Sequence, residues 1–390
     1  MIFRKEISES LTLKFAEAVN ERKKRGEDII SLGLGEPDFD TPVELVEALR
    51  SACYKPESSR YSASAGLTGL RQKIAGSLKQ KNNINCSAGN ILITPGTKQS
   101  ISLLLMALLE PGDEVVIILP AYVSYVPQVY LAEPQVEIRF VHLDKRNYDL
   151  NIEEFEKAIT PKTKAVILNS PHNPTGRMIP ENLLRKIFEI TERYNTYILS
   201  DEIYDKLVFG ETPHFSIGSI EESVNRVITF NGFGKSLAVT GWRIGYTCFP
   251  LQLWDKVIKL QQHINTNTST VIQMAFDMAW PLPDDHLIGY NRKLASRTAI
   301  YRRFLQDNPL LGGSIPQGSF FAFINIGKLG IDSVQFASKL VDKTGVAVTA
   351  GIAFGIGWDD HIRISLAVDE AVLSDALVRI QQFIESEQWK

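Results

Sequence analysis

Cysteine is scarce. The chain has three, Cys53, Cys86 and Cys248, far apart among 390 residues and odd in number. No CxxC pair occurs, and any disulfide scheme leaves one thiol over. Such usage fits a reducing cytoplasm. Long apolar runs are also missing, since the longest, Ile101 to Leu109, is about half of what a membrane span needs. The first residues, Met1 to Glu6, lack the apolar core of a signal peptide. Neither sign of charge is in excess: 42 Lys+Arg stand against 45 Asp+Glu, a formal net charge of -3. A nucleic-acid binder would carry a basic surplus to displace counterions from phosphates. The six histidines show no HExxH or similar metal spacing. These absences lead us to expect a soluble cytoplasmic protein with no metal, no nucleic-acid partner and no membrane partner.

What remains is an ordinary globular composition, 44% hydrophobic and 22% charged. At roughly 150 residues per domain, the length points to two or three domains. Ser10 to Arg25 reads as an amphipathic helix with Leu11, Phe15, Ala18 and Val19 on one face, ending at Gly26. Further helices are expected at 42–54, 67–81, 97–110, 152–159 and 181–195. Between and after them lie short runs rich in β-branched residues: Ile91 to Thr94, Val115 to Leu119, Val136 to Val141, Ala165 to Leu168, Tyr197 to Leu199, Val227 to Phe230 and Ile244 to Phe249. Continuous rather than alternating apolar runs suit strands covered on both faces. Interleaved with helices they predict an α/β fold with a mostly parallel, doubly wound sheet. After about residue 285 the texture changes to a long charged helix (Asn291 to Gln306), a strand at Phe320 to Ile326, a further helix, two short strands near Val346 and Ile362, and a last helix from Asp369. The expected division is a large domain over 46–284 and a smaller α+β domain from 1–45 plus 285–390.

Three polar clusters follow strands of the large unit, where ligands bind in open α/β sheets. They are Asn169 to Gly176, Ser200 to Tyr204, and Asn231 to Ser236 with Thr240 to Arg243 beyond. Taken singly each has a plain reading: a proline-flanked turn, a helix N-cap, a solvated lysine. A P-loop is excluded, because GxxxxGK[ST] would need its first glycine where Thr229 stands.

In combination the clusters resemble the fold-type I pyridoxal-phosphate enzymes, specifically the class I/II aminotransferases. Gly35-Glu36-Pro37-Asp38-Phe39, Asn173-Pro174-Thr175-Gly176, Ser200-Asp201-Glu202-Ile203-Tyr204 and Lys235 through Arg243 occur in the family's order, and the similarity runs from about Ser10 to the C-terminus. The resemblance implies pyridoxal 5′-phosphate as cofactor, with Lys235 as the Schiff-base lysine and proton carrier. It implies Asp201 as the carboxylate that keeps the pyridine nitrogen protonated, and Tyr204 and Asn173 as partners of the ring's phenolic oxygen. Gly96 and Thr97, at the start of helix 97–110, would receive the phosphate with Arg243. Tyr122 would stack on the ring. Tyr61 would reach the phosphate of a neighbouring copy, which makes the expected state a homodimer; a packing aromatic on a surface loop is the other reading. Arg363 would clamp the substrate α-carboxylate, helped by Gly35 and Asn173, and closure of the small domain would complete the site.

The nearest subgroup resemblance is to bacterial-type aspartate aminotransferases, in which residues matching Lys98 and Ser10 contact a distal carboxylate. The implied reaction is ping-pong amino transfer between an acidic or aromatic amino acid and a 2-oxo acid such as 2-oxoglutarate. A related lyase or cyclase, eliminating or replacing a β or γ group through Lys235, would need the same cofactor residues, and a non-enzymatic sensing domain would keep only the fold. The chain departs from the subgroup at Gly232 (often serine), Ala121-Tyr122, His172, Ala350-Gly351 and an inserted-looking segment before Asp360.

Overall fold

The computed structural model describes residues 7, 9–387 and 389. The segment Met1 to Glu6, read above for a leader, lies outside them. In chain order the strands are β1 (Ile30–Ser31), β2 (Ile91–Thr94), β3 (Glu114–Leu119), β4 (Glu137–His142), β5 (Thr163–Asn169), β6 (Tyr197–Asp201), β7 (Val227–Gly232), β8 (Gly245–Cys248), β9 (Gly312–Gly313), β10 (Phe321–Asn325), β11 (Val346–Ala347), β12 (Thr349–Ala350) and β13 (His361–Ser365).

Seven strands form the large sheet in the order β2-β8-β7-β6-β5-β3-β4. Every neighbouring pair is parallel except those of β8, which runs antiparallel to both β2 and β7. Strands β2, β3 and β7 are buried along their whole length, which is why their apolar runs do not alternate. The helices Thr97–Leu108 and Glu181–Glu192 put Leu103, Leu104, Ile187 and Phe188 into one core with these strands. The strand expected at Val136 to Val141 is instead the sheet's edge: β4 starts at Glu137 and buries only Val141 fully. An edge strand carrying Glu137 and Arg139 discourages pairing with another chain.

A second, four-stranded antiparallel sheet has the order β12-β13-β10-β9, and β1 pairs in parallel with β11 through Ile30 and Val346. That short pair ties the N-terminal segment to the C-terminal elements. Phe336, Leu340, Leu373 and Ile380, from the helices Ser333–Thr344 and Glu370–Ser386, pack with Phe321 and Ile324 of β10 in a separate core. The long helix begins at Asp285, six residues before the expected start; Asp284 before it makes no capping hydrogen bond and is ion-paired with Lys81 and Lys206. In the first helix, Leu11–Lys24, Val19 is buried and Phe15 partly so, whereas Ala18 faces solvent. Three helices were not anticipated, Tyr125–Ala132, Trp254–Ile264 and Thr270–Met278. The last two bury Gln261 and Gln273 on their inner faces, and these polar residues break the apolar stripe.

Candidate active site

The parallel sheet reverses direction of growth at β3, whose two neighbours are β4 and β5. Loops at the carboxyl ends of β3, β5, β6 and β7 therefore open onto one crevice. A cleft of about 420 Å³ lies there, lined by Thr97, Lys98, Tyr122, Asn173, Asp201, Tyr204, Lys235, Arg243, Gly35 and Arg363 among others. Ten positions singled out in the sequence, spread over more than 300 residues, thus meet in one cavity.

Asp201 ends β6 and is 5% exposed. Its Oδ2 accepts from Tyr125 Oη at 2.8 Å and its Oδ1 from the Ile203 amide at 3.3 Å. Among the described residues no cation pairs with it. Burial pushes its carboxyl up to about 6, against the pull of the Tyr125 bond. Asn169 is the register partner of Asp201 on β5; its Nδ2 donates to the Asp201 carbonyl at 2.8 Å, and its Oδ1 accepts from the Asn173 amide at 2.8 Å. That link places Asn173 beside the aspartate. Tyr204 is buried one turn further on, its phenol pushed up by burial and by the Asp201 charge.

Lys235 follows β7, which lies alongside β6, so lysine and aspartate descend from adjacent strands. It is half-buried in the cleft, and Nζ donates to the Gly35 carbonyl. Desolvation by the surrounding protein pulls its ammonium down to about 8. Lys235 forms no ion pair among the described residues, although Asp201 and Glu36 are near enough to influence it.

Gly96, with φ +86, turns the chain from β2 into the helix Thr97–Leu108. A side chain there would meet Arg243 Nη2 at 2.7 Å, and one at Gly245 would meet the Thr97 nitrogen at 2.9 Å. Gly96 is therefore required by its left-handed backbone, and Gly245 by close approach of backbone. The Gly96 amide donates to the Thr94 carbonyl at 2.7 Å, so it is turned away from the helix end. The first-turn amides of Thr97 and Lys98 remain without intrahelical acceptors. Arg243 holds this turn through Nη2 on the Pro95 carbonyl at 3.2 Å, with its own backbone left-handed at φ +54. Gly232, where serine would have been familiar, faces Gly245 across β7 and β8, and a Cβ would sit 3.1 Å from the Gly245 Cα. A larger residue would fit only if the neighbouring strand gave by a few tenths of an ångström.

Arg363, on β13, is 5% exposed and lies between the rings of Phe321 and Phe354 at 4.2 and 5.0 Å. Its Nη1 donates to Asn173 Oδ1 at 3.1 Å and its Nη2 to the Gly33 carbonyl at 2.7 Å, while Nε has no partner among the described residues. Burial lowers its guanidinium to about 10, which still leaves it charged at neutral pH. Phe354 directly precedes the inserted-looking Gly355 to Asp360, which is packed rather than looped out: Trp358 is fully buried, and the Ala121 amide bonds the Phe354 carbonyl at 2.8 Å. The loop carrying Gly35 is anchored by Asp38, which receives a two-pronged bond from Arg297 at 2.9 and 2.7 Å.

Three singled-out residues are not in the cleft lining: Tyr61, Ser10 and Gly96, which is next to the lining residue Thr97. Tyr61 is 86% exposed on the surface. Ser10 stands one step back, its Oγ bonded to Thr12 Oγ1 at 2.9 Å, and Thr12 is the lining residue. Lining residues with no role of their own expected from sequence include Tyr125, Asn169, Glu36 and Phe321. Of these, Asn169 could have been weighed from its place at a strand end; Tyr125 follows Tyr122 by one helical turn, a spacing without chemical signature.

A partly buried amine and an unpaired buried carboxylate share this cleft with an anion-receiving helix start and a buried guanidinium. Together they define an enzyme of amine chemistry on small anionic substrates. The chain belongs to the aminotransferase class I and II family, whose pattern matches residues 27–380. It is 35% identical to an aspartate aminotransferase of Bacillus sp. strain YM-2 over 98% of both chains, and 33% identical to aromatic-amino-acid aminotransferase 2 of Thermococcus litoralis over 92% of both. A solved structure of Thermus thermophilus aspartate aminotransferase with maleate superposes with a TM-score of 0.92 at 30% identity, covering 98% of each chain. The protein is accordingly an amino-acid aminotransferase, and its family implies use of pyridoxal phosphate. The residues fit such a group: a carboxylate that lacks a cation, a desolvated amine, and a glycine turn beside Arg243 at a helix start. Among the described residues no helix is long and apolar enough to cross a membrane.

Proposed function

We propose that the cleft binds pyridoxal 5′-phosphate and exchanges the amino group of an acidic or aromatic amino acid with a 2-oxo acid in two half-reactions. The observation that carries this reading is the pairing of Asp201 and Lys235, which descend from adjacent strands into one cleft and form no ion pair with each other. When bound, the cofactor supplies a carbonyl that captures amines and a ring that withdraws electrons from the substrate Cα. Asp201 holds the proton on the ring nitrogen, since an anion in a desolvated site favours a cation opposite it. Lys235 Nζ, pulled to about 8, moves the proton at the substrate Cα. The amides of Thr97 and Lys98, the turn at Gly96, and Arg243 receive the phosphate. Tyr122 covers one face of the ring, and Tyr204 and Asn173 serve its phenolic oxygen. Arg363 grips the α-carboxylate in the planar fork for which arginine is suited, with Gly35 and Asn173 beside it.

Donor choice follows from the far wall. Lys98 Nζ lies 5.8 Å over the Tyr122 ring, and Thr12, backed by Ser10, stands with Ile101, Val123 and Leu34 around it. A cation set among apolar groups suits a distal carboxylate or a flat ring. Residues 46–284 act as the cofactor-binding domain, and 1–45 plus 285–390 as a smaller domain that closes over the substrate. Tyr61, with Tyr54 also 84% exposed, belongs to a contact with a second copy, and the working form is a homodimer.

The test is half-reaction spectroscopy of the loaded protein across all amino acids, with chemical identification of the products. Aspartate, glutamate or an aromatic amino acid should discharge the visible band of the bound cofactor and yield its 2-oxo acid. Replacement of Lys235 by alanine should abolish covalent retention of the cofactor after borohydride reduction. A protein that takes up no pyridoxal phosphate refutes the reading, and release of a β or γ leaving group in place of the 2-oxo acid reassigns the reaction to a lyase or cyclase.

A further inference from the structure

Asp201 is held by a residue that the reading above leaves without a role. Tyr125 opens the helix Tyr125–Ala132, is 2% exposed, and sends its hydroxyl to Asp201 Oδ2 at 2.8 Å. Among the described residues it is the only side chain that donates to this carboxylate; the other donor is the Ile203 amide. The ring is fixed edge-on against Tyr122, with centroids 5.4 Å apart and planes at 77°. Tyr125 and Asn169 also line a second, mostly apolar cavity of about 300 Å³ behind the cleft. The tyrosine ring is thus part of the wall that keeps the two spaces separate.

We propose that Tyr125 is a positioning residue for Asp201: its hydroxyl holds the carboxylate toward the cleft, anionic and in one rotamer, where the cofactor's ring nitrogen is to be received. This rests on the reading of Asp201 as the anchor of that nitrogen. The surroundings agree with the direction. Burial drives Asp201 toward its neutral form, and the Tyr125 bond is the largest influence opposing it. The Tyr125 phenol is itself held far above its ordinary range by burial and by the Asp201 charge, so it stays protonated and can only donate. The other charged and titratable groups around the carboxylate are Glu202, Tyr122, Tyr204, Lys235, Arg243 and Arg363, together with His172, which burial keeps neutral down to about 4. None of these takes the place of the Tyr125 hydroxyl on Asp201.

Tyr125→Phe removes that hydroxyl and leaves the wall standing. The measurement is the dissociation constant of pyridoxal phosphate from the full-length apoprotein as a function of pH, in the wild type, Tyr125→Phe, Asp201→Asn and the double variant. A hydrogen bond to a charged group predicts about tenfold weaker binding in Tyr125→Phe and an acid-side midpoint raised by about one pH unit. In the Asp201→Asn background the same change should cost no more than about twofold, because the anion it serves is gone. A residue that only packs would cost the same factor in both backgrounds and leave the midpoint in place; that result overturns the inference. If Tyr125→Phe does not fold, 3-fluorotyrosine at position 125, a stronger donor of the same shape, takes its place, and the midpoint must then move down. Failure of the wild type to bind pyridoxal phosphate sinks the proposed function instead, so the two outcomes are distinct.

Discussion

Replacing Arg363 by alanine probes the substrate side of the cleft apart from the cofactor side. The guanidinium is buried, stacked between Phe321 and Phe354, and braced by Asn173 Oδ1 and the Gly33 carbonyl at 3.1 and 2.7 Å, with Nε free of protein partners. It is therefore pre-set before substrate arrives, and little side-chain entropy remains to be lost on binding. Hydrogen bonds to a charged partner contribute about 1.5–3 kcal/mol each. A two-pronged grip on a carboxylate is then worth about 3–5 kcal/mol, or roughly two to four powers of ten in kcat/KM. Arg363→Lys keeps the charge, loses the fork, and should fall between alanine and the wild type. Steady-state kcat/KM for the amino donor reads this effect, and titration of apoprotein with pyridoxal phosphate reads the control, which should stay within about twofold. Arg363 loses its charge only as pH climbs through about 10, so donor KM should be flat from neutral pH to about 9 and rise beyond. An alanine variant within tenfold of the wild type in kcat/KM, or one that loses the cofactor instead, would refute the clamp.

Two further outcomes are expected. Asp201 is raised by burial from 3.8 to about 6, so its anionic form is lost as pH falls through that value and the affinity of apoprotein for pyridoxal phosphate should fall with it; affinity unchanged from pH 8 to 4.5 would contradict this. Gly176 has φ +69, and a Cβ there would press on the Phe321 carbonyl and lie 2.6 Å from Pro316 Cβ, so Gly176→Ala should lower the unfolding free energy in urea by about 2–4 kcal/mol. A loss below 0.5 kcal/mol, as an order-of-magnitude bound for a neutral surface change, would show that the turn relaxes freely.

The large sheet was legible because strands such as β3 and β7 are buried throughout and write that burial as unbroken apolar runs. The polar clusters at 169–176, 200–204 and 231–236 were legible for a related reason: polar residues right after such runs stand out as strand-end positions. Their order along the chain carries the resemblance to the family, and with it the expected roles of Lys235, Asp201 and Arg363.

Other features depend on partners distant in sequence. That β8 lies between β2 and β7, antiparallel to both, is set by sheet packing, and it decides why Gly245, pressed against the Gly96–Thr97 backbone, must lack a side chain. Helix Tyr125–Ala132 carries Pro127 in its first turn, where a proline is tolerated but where it also reads as a break. In consequence the Tyr125 contact with Asp201, 76 positions away, was invisible to any local pattern. The turning of the Gly96 amide onto Thr94, and the standing of Thr12 rather than Ser10 at the cleft, are likewise matters of a few ångströms. Composition and local periodicity determined the elements and the reactive groups, because these rest on burial and on chemistry carried by single residues. Only the tertiary structure decided which groups touch, because hydrogen bonds and close approaches act between strands and helices that the chain order keeps apart.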